Sequence, residues 1–129
     1  YMNTCPPNVP YTPWHLLEHI RRAQRDILDF IRNPHYVSPE WPKDFWPAPD
    51  DHADRARWDE TVRSFHQDLT DLEALVQDPN SALTDPLPHA AGYTLFREVL
   101  LVTDHNAFHL GEFAILRQVM GTWPPAHIG

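Results

Sequence analysis

The sequence has a single cysteine, Cys5, so it can form no internal disulfide, and such usage fits a reducing compartment. A cytoplasmic protein is expected, with pairing of Cys5 between chains left open. Long apolar runs are missing as well. None approaches the roughly 20 residues that cross a bilayer, and Tyr1 to Pro13 lacks the charged and apolar regions of a signal peptide. The expectation is a soluble protein with no membrane partner. The chain opens on Tyr rather than Met, so a segment ahead of it is expected to have been removed or left out. Positive charge is scarce too: ten Lys and Arg stand against 18 Asp and Glu, a formal charge of −8, and no basic cluster is longer than Arg21-Arg22. That balance repels a phosphate backbone and argues against nucleic acid as a partner. Nine histidines count as neutral in that figure, so acidification through about pH 6 would erase much of the negative charge.

What is present suits one globular domain. A chain of 129 residues can bury one sizeable core, and 42% apolar against 22% charged residues is too apolar for disorder. Residues 1–12 carry Pro6, Pro7 and Pro10 with few helix formers and read as an extended arm. Residues 13–129 read as the domain, with helices over about 13–32, 54–77 and 94–120. The first begins with Thr12 as cap and Pro13 in its first turn, repeats Leu16, Ile20, Ala23, Ile27 and Phe30, and stops at Asn33-Pro34. The second repeats Trp58, Val62, Phe65, Leu69, Leu72 and Val76 in steps of four and three, a bundle seam. The third follows Thr94 along Leu95, Val99, Val102, His109, Phe113, Leu116 and Met120, with Gly121 suited to a left-handed cap. No strand is required. Between the first two helices, residues 33–53 are dense in proline and in aromatics (Tyr36, Trp41, Phe45, Trp46) without a period. Such a stretch is either a packed crossover covering one end of the core or a lid over a site.

The histidines carry the chemical signal. His105 and His109 are four apart on one helix, so their β-carbons stand about 6 Å apart on one face. Two imidazoles at that spacing can share one ion. His19 lies at the edge of the first helix's apolar stripe, where packing aims it inward, and is the natural third ligand. Spacing alone is weak evidence, since nine histidines yield about 0.6 such pairs by chance and His15 with His19 is another.

Two segments add to it. Pro13-Trp14-His15-Leu16-Leu17-Glu18-His19-Ile20, read with Thr103-Asp104-His105-Asn106-Ala107-Phe108-His109-Leu110-Gly111-Glu112, resembles the DinB/YfiT-like superfamily of helical metal-binding proteins. The resemblance extends through Trp41-Pro42, Phe45-Trp46-Pro47, the Trp58 helix and Thr94 to Glu98. It implies an all-α, up-down-down-up four-helix bundle, a divalent metal on His19, His105 and His109, and a homodimer in many members. His15 matches no family ligand. The family's opening helix would precede the tryptophan segment, where this chain has only its proline-rich arm, so that helix is expected to be missing here.

Glu112 shares the stripe of His105 and His109 and reads as a carboxylate behind the ligands, with a fourth ligand or a base as the other reading. Asp104 and Asn106 read as helix-surface or interhelical hydrogen-bonding residues, Arg97 and Glu98 as a charge pair, and Gly111 as a point of close helix approach. Three neutral imidazoles leave an ion its double charge and an open position, as in catalytic sites. The resemblance implies thiol transfer or hydrolysis on a small-molecule substrate, while three imidazoles suit Zn, Ni, Fe or Mn and leave the metal's identity open. The competing class is a non-catalytic module in which the ion staples the helices. Cys5, in the arm, reads as a spectator.

Overall fold

The computed structural model describes residues 1–123; residues 124–129 of the expected domain lie outside that range. Helix α1 runs Pro13–Arg32. Thr12 is extended and accepts the His15 amide at 3.1 Å, while His15 Nδ1 accepts the Thr12 amide at 3.2 Å. An imidazole thus completes a capping box usually closed by Glu or Gln. Helix α2, Arg55–Gln77, is capped by Asp54, and α3, Leu95–Val119, by Thr94. Gly121 takes a φ of 69°, the left-handed turn a helix end favours.

Four cross-helix pairs set the direction of packing. Glu18 with Thr61, Gln24 with Phe65, Arg25 with Asp68 and Arg32 with Asp71 climb both helices together, so α1 and α2 are parallel. On the other flank Leu16 and Ile20 meet Leu116, while Leu28 and Ile31 share a cluster with Val102 and Leu95, so α3 runs antiparallel. Helix α1 is therefore the middle element. Of the α2 seam only Leu72 is fully buried, because α1 packs on a stripe that includes Thr61 and Asp68. Trp58, with Phe113 and Met120, borders a cavity of about 320 Å³; Leu69 and Val76, with Val99, border one of about 290 Å³; and Phe65 packs on the Leu16–Ile20–Leu116 cluster.

Two expectations need correction. A short antiparallel hairpin joins β1, Pro86–Leu87, to β2, Ala90–Thr94. Two residues beginning with proline carry no alternation, and the pairing also shifts register between Pro86 and Leu87, so periodicity could not reveal it. Gly111 faces open space, since a β-carbon there would meet nothing within 4 Å among the described residues; it allows no close approach among them. The described residues thus form three helices and a small hairpin, with no fourth helix among them.

Residues 1–12 form no regular element, yet they are tied down. Asn3 exchanges two hydrogen bonds with the Ala53 backbone at 2.8 and 2.9 Å, and the Trp14 amide donates to Met2 O at 2.9 Å. Val9 and Tyr11 pack on the Leu16–Ile20–Leu116 cluster. Helix α3 is apolar around its circumference, the pattern of a helix buried on all sides. Here one half is bare: Phe96, Leu100, Leu101, Phe108, Leu110, Ile115 and Val119 are each 41–66% exposed. No helix among the described residues is long and apolar enough to cross a membrane.

Candidate metal centre

Antiparallel packing of α1 on α3 brings His19 beside the His105–His109 face. Ring centroids are 5.2 Å apart for His19 and His105, 4.8 Å for His19 and His109, and 4.4 Å for His105 and His109. One nitrogen from each ring lies within 4.8 Å of the other two. A tetrahedral ion with bonds of 2.0–2.1 Å holds its nitrogens roughly 3.3 Å apart, a difference within reach of side-chain rotation. All three residues named from the sequence are here.

Hydrogen bonds settle which nitrogens are free. His19 Nδ1 is 3.0 Å from Phe45 O, a carbonyl that can only accept. That ring nitrogen must carry the proton, and Nε2 keeps its lone pair. His109 Nδ1 lies 2.5 Å from Glu112 Oε1 and by the same reasoning donates to the carboxylate. His105 Nδ1 is buried and, among the described residues, has no partner at hydrogen-bonding geometry. An unpartnered buried nitrogen is costly unless something fills its place, so the donor set fits a cation that accepts imidazole nitrogen. His15 is spent elsewhere: its Nδ1 accepts the Thr12 amide and its Nε2 donates to Asp51 O at 3.0 Å, which leaves no lone pair for a metal.

The electrostatics favour neutral ligands. Burial lowers the His105 pKa to about 4, with His109 and His19 adding to the effect. Burial also lowers that of His19, against the raising influence of the Phe45 carbonyl. Both rings therefore offer lone pairs at neutral pH. His19 is 3% and His109 9% exposed, while His105 is half-buried and marks the side open to solvent. Exposed Trp41 and Phe108 border the cluster, their rings 6.2 Å from His19 and 5.1 Å from His109.

Sequence reasoning did not name Tyr11 and assigned no loop residue to a particular histidine. Loop 33–53 lies over His19: Trp46 stacks on its ring at 3.9 Å and the Phe45 carbonyl fixes its tautomer. The loop thus combines the crossover and covering roles that composition left open. Tyr11 donates to Glu112 Oε2 and packs on Trp46 at 5.5 Å; burial and the Glu112 carboxylate push its pKa up to about 12, so it keeps its proton. Glu112 stands behind His109. Asn106 bridges helices through Gln24 at 3.0 Å, and Arg97 pairs with Glu98 at 2.9 Å. A dense aromatic–proline segment was the only sequence signal for the loop, and nothing in the sequence marked Tyr11.

A family model for the DinB superfamily matches residues 2–113, a span that includes all three histidines. The chain belongs to the DinB superfamily. No curated protein and no solved structure matches it. Membership and the histidine cluster together make this a DinB-superfamily protein with a site able to hold a metal ion.

Proposed function

We propose that this DinB-superfamily chain binds one divalent metal ion, of the Zn, Ni, Fe or Mn type, through His19, His105 and His109, and uses it in thiol transfer to, or hydrolysis of, a small-molecule substrate. One observation carries the reading: His19 and His109 each have Nδ1 committed to an acceptor, which leaves Nε2 lone pairs beside a third imidazole whose buried Nδ1 has no partner at hydrogen-bonding geometry among the described residues. When bound, an ion with three neutral ligands lowers the pKa of a thiol or water at its open position and polarises an electrophile. The chain's own residues hold and shield the site. Phe45 and Glu112 set two tautomers, Trp46 and Tyr11 keep water from one side, and Trp41 and Phe108 offer an apolar rim for a substrate. Elemental analysis of metal-replete protein tests the site: about one ion per chain, lost in His19→Ala, His105→Ala or His109→Ala and kept in His15→Ala. Metal-dependent turnover of a thiol with an electrophile, abolished by His109→Ala, supports the enzyme. Loss of melting stability with chelator and no turnover supports a structural staple instead.

We also propose the family's four-helix frame, with the position between α2 and α3 filled by a helix from a second copy. The support is the bare apolar half of α3, the cavities beside it, and its charge. Helix α3 carries two arginines against three acidic residues, one of them buried, in a chain of net charge −8. That near balance of charge leaves little repulsion between like copies on this face.

A further inference from the structure

Glu112 and Tyr11 are more than neighbours of the histidine cluster. Glu112 lies one helical turn beyond His109 and has both oxygens engaged, Oε1 by His109 Nδ1 at 2.5 Å and Oε2 by the Tyr11 hydroxyl. Hydrogen bonds to both oxygens hold the carboxylate away from solvent and behind the His109 ring. Tyr11 comes from the segment before α1, 101 residues away in sequence, and its ring also rests on Trp46, which stacks on His19. One residue of the N-terminal segment therefore touches the supports of two candidate ligands on two helices.

We propose that Tyr11 and Glu112 are positioning residues for the metal: Glu112 holds the His109 ring in the tautomer that presents Nε2, and Tyr11 holds Glu112 in that role and out of the coordination sphere. The idea rests on the metal reading given above. Partners behind a ligating histidine fix its orientation and raise its basicity, and losing them costs about 10–100-fold in affinity. Glu112 supplies a charged acceptor, so its removal belongs in that range. Tyr11 acts through Glu112, so the two losses do not add. The segment before α1, which makes no regular element, becomes part of the centre through this contact.

The test titrates Zn²⁺ into wild type, Glu112→Ala, Glu112→Gln, Tyr11→Phe and the double variant Tyr11→Phe/Glu112→Ala, with ¹⁵N NMR of the His109 ring in metal-free protein. Glu112→Ala should weaken binding by about 10–100-fold. Glu112→Gln, which keeps a neutral acceptor for Nδ1–H, should fall between it and wild type. Tyr11→Phe, which keeps the ring on Trp46, should weaken binding less, and the double variant should match Glu112→Ala alone. In the metal-free wild type the proton should sit on Nδ1, and Glu112→Ala should populate the other tautomer; a merely structural carboxylate would not move this signal. Melting of each metal-free variant reports folding separately. Additive losses, or an unchanged tautomer in a folded Glu112→Ala, overturn the proposal. If wild type binds no metal while the tautomer still responds to Glu112, the metal reading fails and the positioning of His109 stands.

Discussion

The indole of Trp46 lies flat on the imidazole of His19, with ring centroids 3.9 Å apart and planes 5° from parallel. The neighbouring Phe45 carbonyl accepts a hydrogen bond from Nδ1 of the same imidazole, so two successive loop residues hold the ring of a first-helix candidate ligand. Trp46→Ala should destabilise the protein by about 1–3 kcal/mol, less than for a fully buried tryptophan because Trp46 is half-buried, and should weaken metal binding. Trp46→Phe should recover most of both. Urea unfolding and metal titration check this, and unchanged metal affinity in Trp46→Ala would remove the loop from the site.

Acid should destabilise the metal-free protein through the cluster. His105 has a folded pKa of about 4 and an unfolded value near 6.5; that of His19 is also lowered. Between those values the unfolded chain binds more protons than the folded one, so stability is complete above about pH 6.5 and lost as pH falls toward 4. Chemical denaturation at pH 7, 5.5 and 4.5 should show the decline. His105→Gln should flatten it, and equal slopes for the two proteins would contradict the assignment.

Gln24 is 1% exposed and joins all three helices, donating to Phe65 O on α2 at 2.9 Å and accepting from Asn106 on α3 at 3.0 Å. Gln24→Ala leaves a cavity and an unpaired Asn106 amide, and should cost about 2 kcal/mol or more in urea unfolding. The metal site should then loosen because α3 is no longer keyed to α1. A change under about 0.5 kcal/mol, the range of ordinary surface substitutions, would show that the bridge does not hold the helices.

Light scattering should give twice the mass of one chain. Leu100→Asp combined with Leu110→Asp, both on the bare side of α3 and 53% and 58% exposed, should return a folded monomer. Wild type that stays monomeric at high micromolar concentration would leave the α3 face without its proposed partner.

Local rules were enough for much of this protein. Thr12-Pro13, Asp54 and Thr94 mark where helices start, Asn33 and Gly121 where two of them end, and each signal acts within a turn of backbone. That His19, His105 and His109 would gather was also legible, because four-residue spacing and a stripe-edge position are one-dimensional properties joined by a family pattern. Tertiary structure alone decided the rest. That Phe45 fixes the His19 tautomer and that Tyr11 reaches Glu112 depend on segments 26 and 101 residues apart meeting in space. Hydrogen bonds of that reach have no period along the chain, so only packing α1 between α2 and α3 could determine them.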